Sequence, residues 1–192
     1  MAQQTVSLSD LTGHNLTIRA DGSLTTTDVP EGALAYSTLI NNTPGVVAAN
    51  NFLSVFNPVG SGKTITIVRF ICSPYATAAA TPTDNMQVWR TTAASVGTLL
   101  AAANINKFDT TQPNSIAEVR TGNPTLTLLG TVPVIAVPPA VTAAAGGVST
   151  LTNIVPPAGT LFACRPGEGL AARTPAGSVG QVWSLGFTWL EL

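Results

Sequence analysis

The chain has 192 residues, only 9% of them charged, and a net charge of −1. A nucleic-acid ligand requires a basic stripe to neutralise its phosphates, which charge this sparse excludes. With 45% hydrophobic residues the chain can bury enough surface to fold, and its length suits one domain, or one domain plus an arm.

The first residues, MAQQTVSLSDLTGHNL, lack the basic and apolar regions of a secretory signal, and no stretch approaches about 18 uninterrupted apolar residues. Synthesis in a cytoplasm is therefore expected, with no membrane partner. Asp21-Gly22 between Leu16-Thr17-Ile18-Arg19 and Leu24-Thr25-Thr26-Thr27 has the chemistry of a small hairpin. Val29-Pro30-Glu31-Gly32 and Asn41-Asn42-Thr43-Pro44-Gly45 then read as breaks. Residues 1–45 are expected to form an extended N-terminal arm with its own short strands, and residues 46–192 the main domain. Asn15-Leu16-Thr17 and Asn41-Asn42-Thr43 match the N-glycosylation pattern, which has no meaning without a secretory route.

Within 46–192 helix signals are nearly absent, and valine, isoleucine and threonine dominate, side chains that suit a pleated surface. Strands are predicted at 51–57, 63–72, 85–92, 98–106, 115–121, 125–137, 160–165, 168–173 and 179–191. Asn57-Pro58, Gly60-Ser61-Gly62, Ser73-Pro74, Thr121-Gly122-Asn123-Pro124 and Arg165-Pro166-Gly167 supply breaks. In 63–72, Thr64, Thr66, Val68, Phe70 and Cys72 share one predicted face, while Ile65, Ile67, Arg69 and Ile71 share the other. In 179–191, Trp183, Leu185, Phe187 and Trp189 share a face that suits a core, or failing that an oligomer interface. Residues 76–83 and 138–159 lack periodicity and read as long loops suited to contact with a neighbouring subunit. Short strands without a βαβ rhythm predict an all-β fold: an antiparallel β-sandwich, most simply a jelly roll with two Greek keys.

Asn57-Pro58-Val59-Gly60-Ser61-Gly62-Lys63-Thr64 ends like a phosphate-binding loop. That loop needs a glycine where Asn57 stands and a helix where Ile65-Thr66-Ile67-Val68 stands, so that amides and a helix N-terminus face the phosphates. The segment therefore reads as a turn between antiparallel strands with Lys63 solvated. His14, the single histidine, stands in the arm far from any candidate nucleophile, and no G-x-S-x-G elbow occurs. The nine carboxylates are dispersed, Asp28 and Glu31 coming closest to a cluster, so no metal site is expected. Glu118 and Glu168 are the only pair a glycosidase groove could use, but Arg120 is a same-face neighbour of Glu118 that balances its charge. Cys72 and Cys164 lie in apolar runs and read as two buried thiols, a disulfide staying open. No catalytic residue, cofactor site or metal site follows, and the expected protein is not an enzyme.

The Asn57-to-Lys63 turn leading into a β-branched strand, the segment Pro166-Gly167-Glu168-Gly169-Leu170-Ala171, and the closing alternation Trp183-Ser-Leu-Gly-Phe-Thr-Trp189 resemble small β-sandwich virion proteins of tailed bacteriophages. The resemblance covers about residues 50–192 and implies a structural role: a capsid decoration, or cement, protein on the outside of the virion. It implies a homo-oligomer, most simply a trimer, whose partner is the major capsid protein. The alternatives are a tail, baseplate or fibre component, and a carbohydrate-binding sandwich with Tyr75 as the exposed ring. Low charge, abundant threonine and alanine, and proline-rich loops suit the extended uncharged contacts of such a role.

Overall fold

Alternating β-branched sequence yields sixteen strands and one 3-10 turn among the described residues. The computed structural model describes residues 7–9, 15–18, 24–27, 32–44, 50–76, 85–137, 152–155, 162–175 and 181–192. Near the N-terminus, β1 (Ser7–Ser9), β2 (Asn15–Ile18) and β3 (Leu24–Thr27) make an antiparallel sheet in chain order. Asn15 pairs with Thr27 and Ile18 with Leu24, as the predicted hairpin requires. Its turn residues, Asp21 and Gly22, lie outside the described residues.

The rest is an antiparallel sandwich of two sheets. The seven-stranded sheet comprises β5 (Asn50–Phe56), β7 (Met86–Ser95), β8 (Thr98–Leu99), β10 (Glu118–Thr121), β11 (Thr125–Leu129), β12 (Ile135–Val137) and β15 (Gly169–Thr174). Its order is β11-β7-β15-β5-β10-β8, with β12 also paired to β7. The six-stranded sheet comprises β4 (Leu34–Pro44), β6 (Ile65–Ala76), β9 (Asn106–Lys107), β13 (Thr152–Ile154), β14 (Phe162–Cys164) and β16 (Gln181–Glu191). Its order is β13-β6-β16-β4-β9, with β14 also on β6. The aromatic face of β16 forms the core as expected: Trp183, Leu185, Phe187 and Trp189 are all buried. Trp183 meets Phe52 of the opposite sheet with ring centroids 6.5 Å apart, and Phe187 packs on Phe70 at 5.0 Å. Each such ring removes about 150–250 Å² from water, so this strand supplies much of the driving force for closing the sandwich.

Several sequence expectations need correction. Residues 34–44 are no arm: β4 pairs with β16 from Leu34 opposite Glu191 to Pro44 opposite Val182, and the predicted break at Asn41 to Pro44 is only a shift of register at Asn41-Asn42 within the strand. Strand β6 likewise continues through Ser73-Pro74 to Ala76. Its pairing with β13 ends at Cys72, so Pro74 meets no described neighbour on that side and its missing N–H interrupts no ladder there. The strict alternation predicted for 63–72 also fails. Thr188 pairs with Arg69 and Trp189 with Ile67, which leaves Val68 as an extra, bulged residue. The bulge resets the phase, so Ile65 and Ile67 join Phe70 and Cys72 in one core.

The predicted strand 125–137 is two strands, broken at Gly130, whose φ of +90° suits glycine alone. The loop 138–159 contains β13. Residues 98–106 hold only the short strands β8 and β9 around the 3-10 turn Ala102–Asn104. There the chain leaves the seven-stranded sheet, lays Asn106 and Lys107 beside Ser37 and Tyr36 of the other sheet, and returns as β10. One segment thus straps the two sheets together along one side.

Candidate functional site

The turn that ends like a phosphate loop is built around Asn57, which is 0% exposed. Its side-chain NH2 donates to the carbonyls of Lys63 at 2.8 Å and Cys164 at 2.9 Å, and its Oδ1 accepts from the Ser61 hydroxyl at 2.6 Å. Its own N–H donates to the Glu168 carbonyl, and its carbonyl accepts from Gly167 N–H, both at 2.8 Å. Asn57 therefore ties the β5–β6 connection to the β14–β15 turn. The residue that breaks the phosphate-loop pattern is the one that fixes this end of the sandwich.

Lys63 is less solvated than expected. Its side chain is 34% exposed and its ammonium stands 3.8 Å from Glu191 Oε2, while the Glu191 side chain is buried. Glu191 Oε1 accepts from the Ser115 hydroxyl, from Ile116 N–H at 3.0 Å and from the Trp189 indole at 3.4 Å. Through Ser115 and Ile116 this carboxylate fastens the strap to the last strand. Tyr36 stacks beside Trp189 with centroids 6.1 Å apart, and its hydroxyl donates to Pro113 O at 2.9 Å, a second fastening of the strap. Burial, and then the Glu191 charge, push the Tyr36 phenol above its ordinary pKa. Nothing here opens to a ligand; the arrangement is a structural clasp.

The remaining candidates divide in the same way. Glu118 pairs with Arg120 at 3.2 Å, the predicted same-face balance. Glu168 accepts from Arg165 N–H at 3.0 Å, and Phe56 separates Glu118 from Gly169 across β5, so the two carboxylates do not face one groove. Asp109 accepts from the Thr111 hydroxyl and N–H, which holds its carboxyl below the ordinary value. Cys72 and Cys164 are free and buried, with burial raising both thiols to about 12, so neither is a nucleophile near neutrality. Among the described residues no three His, Cys, Asp or Glu side chains gather to hold a metal, and no helix is long and apolar enough to cross a membrane. His14, Asp28 and Glu31 lie outside the described residues, as does the Tyr75 side chain.

One open pocket of about 380 Å³ is lined by Arg90, Leu129, Ala163, Arg165 and Glu168. Arg90 donates to Ala163 O at 3.0 Å and so bridges the two sheets. Sequence reasoning missed this pocket because its members come from three separate segments. It also missed the edge of β4 that has no partner strand among the described residues. On the side away from β16, β4 pairs with β9 only at Tyr36 and Ser37, so Thr38 to Pro44 have no partner strand among the described residues. Leu39, on that stretch, is 49% exposed.

Because the turn is clamped by Asn57 and followed by β6 rather than a helix, the full chain is expected to bind no ATP with magnesium. Asn57→Gly, which completes the phosphate-loop spelling, should gain no affinity. Instead it should cost about 2–3 kcal/mol, because the Lys63 and Cys164 carbonyls lose their donor. Calorimetry with ATP and a urea titration test both statements; micromolar, Lys63-dependent binding by either form would refute them. No protein-family model, curated protein or solved structure matches the chain.

Proposed function

We propose that this chain is a jelly-roll structural protein of a tailed-bacteriophage virion, a capsid decoration protein that binds across capsid subunit junctions. The observation that carries the reading is the contrast between spent and unspent groups. The polar clusters at Asn57 and Glu191 are consumed in holding the fold, whereas the edge of β4 from Thr38 to Pro44 has no partner strand among the described residues and carries an exposed leucine, Leu39. Such an edge offers backbone donors and acceptors to a strand of another subunit.

Strand order supports the jelly-roll form of the proposal. Take β4, β5, β6, β7, the β11–β12 edge, the β13–β14 edge, β15 and β16 as successive strands. The first, eighth, third and sixth then lie side by side in one sheet, and the second, seventh, fourth and fifth in the other. Two interleaved Greek keys generate that order.

With so few charges, docking would rest on backbone pairing and apolar contact. Full-length protein should therefore cosediment with capsids assembled without it, and not with unassembled capsid subunits. Raising salt from about 0.1 M to about 1 M, which shortens the screening length from about 10 Å to about 3 Å, should weaken binding less than about threefold. Symmetric closure of the apolar surface predicts a trimer by light scattering. No binding to assembled capsids would defeat the decoration role, and cosedimentation with isolated tails would transfer the protein to the tail.

A further inference from the structure

The two sheets part along the edge where β11 and β14 stand, and an arginine is held in the gap. On β7, Arg90 follows Met86 and Val88 at a spacing of two, and both of those lie in the core, so Arg90 faces the other sheet. Its partner on β15, Leu170, is fully buried, and its Nη1 donates to Ala163 O on β14 at 3.0 Å. Leu129 is the partner of Arg90 on β11 and shares that inward face, yet it is 45% exposed. An inward leucine that open marks a mouth between the sheets. The mouth is the pocket of about 380 Å³, and Arg165 and Glu168 of the β14–β15 turn complete its lining. That volume lies in the range of small-molecule sites, about 300–1,000 Å³.

The charged groups at this mouth are accessible and unmatched. A guanidinium carries five N–H donors, and Arg90 uses one of them on Ala163. None of its nitrogens is among the buried atoms that lack a partner, so those without a bond keep access to solvent. Arg165 is exposed. The ion pairs among the described residues join Lys63 to Glu191 and Arg120 to Glu118, so neither pocket arginine is matched by a carboxylate. Glu168 lines the pocket as well and uses Oε2 on the Arg165 N–H. Two arginines and one glutamate leave one positive charge. A monoanion matches it, whereas a phosphate monoester, with a charge of about −1.5 to −2, would set its excess against Glu168. The planar fork of a guanidinium fits the two oxygens of a carboxylate. Leu129 and Ala163 add an apolar wall, which suits a hydrocarbon part on the same ligand.

We propose that this mouth binds a carboxylate joined to a short apolar chain, with the Arg90 and Arg165 guanidiniums on the carboxylate and Leu129 against the chain. Glu168 keeps the site selective for a single negative charge. The unpartnered edge of β4 lies across the six-stranded sheet from β14, so this site and the capsid-binding proposal can fail independently.

The test is calorimetry on the full chain at low salt, where charge pairing is least screened. Hexanoate should bind with a Kd of about 1 mM or tighter, and hexanol, acetate and hexyl phosphate each at least about tenfold more weakly. Arg165→Ala, at an exposed side chain, should weaken hexanoate about tenfold. Glu168→Gln keeps an acceptor for the Arg165 N–H but removes the opposing charge, and should tighten hexanoate about threefold. Both variants leave the Arg90 bond between the sheets in place, and melting temperatures show that they fold. Acetyl-Ala-Ala-Leu with a free or an amidated end separates two sources of the carboxylate. Binding tighter than hexanoate and lost on amidation assigns the pocket to the chain end of another protein; weaker binding assigns it to a free small carboxylate. Absence of binding to both hexanoate and the free-ended peptide at about 10 mM overturns the proposal. So do equal affinity for hexyl phosphate, hexanoate affinity that Arg165→Ala leaves unchanged, and affinity that Glu168→Gln lowers.

Discussion

Glu191→Ala is expected to lower the stability of the chain by about 3 kcal/mol, because the Ser115 hydroxyl, Ile116 N–H and Trp189 indole lose one buried acceptor together. Lys63 contributes less to this loss, since its side chain is partly exposed and its ammonium can return to water. Glu191→Gln keeps an acceptor oxygen for the same three donors and gives up only the charge opposite Lys63, so a loss of about 1 kcal/mol is expected. Urea unfolding separates the two: the midpoint should fall in the order unmodified, Gln, Ala with the slope unchanged. A drop in melting temperature of about 6–12 °C should accompany the alanine variant. If alanine and glutamine are equally mild, the carboxylate is not what fastens the strap to β16.

That clasp could not be read from the chain. Glu191 stands 76 residues after Ser115, and an acidic residue at the end of an apolar strand has the spelling of a solvated terminus. Lys63, after three small turn residues, likewise spells an exposed lysine. Only the register, with Glu191 opposite Ile65 on β6 and Leu34 on β4, brings the carboxylate beside Lys63 and the returning strap. Asn57 is a partial exception. Its place where a phosphate loop needs glycine was legible, as was the strand that follows in place of a helix, but its hydrogen bond to Cys164, 107 residues away, was not.

The fold itself was legible where local chemistry and tertiary demand agree. Alternation marked β16, β-branched and apolar runs bounded by turn residues marked β5 and β7, and Asp21-Gly22 marked the β2–β3 pairing. Reading failed where a neighbour overrides a local signal. Pro44 and Pro74 look like breaks, yet both pair with β16, opposite Val182 and Trp183. Val68 looks like one more residue of an alternating strand, and a bulge is invisible to a period-two count because its cause lies in the partner strand. The strap looked like a strand because Thr98, Leu99 and Leu100 are apolar or β-branched; its residues instead divide between two sheets.

The misplaced boundary at residue 45 has the largest experimental consequence. Deleting residues 1–45 should prevent folding, whereas deleting residues 1–31 should leave the sandwich intact. The longer deletion removes all of β4, whose nine register pairs cover one side of β16. It also removes buried Tyr36, which packs on Trp189 and holds the strap through Pro113, and Ala35, whose carbonyl accepts from Phe108 N–H at 3.2 Å and the Gln112 side chain at 2.6 Å. Loss of a buried aromatic costs about 3–5 kcal/mol and each lost hydrogen bond about 1 kcal/mol, so the total is on the order of 10 kcal/mol. A domain of this size has only about 5–15 kcal/mol of stability. The shorter deletion stops before Gly32 and keeps every one of these contacts. Circular dichroism and thermal melts of the two truncated proteins decide the matter: a cooperative melt from the protein lacking 1–45 would show that β4 is dispensable, and the arm would regain the boundary its composition suggested. With the expected result, the protein lacking 1–31 becomes the variant with which to ask whether the N-terminal strands reach a neighbouring subunit, since its failure to bind capsids would not be a failure to fold.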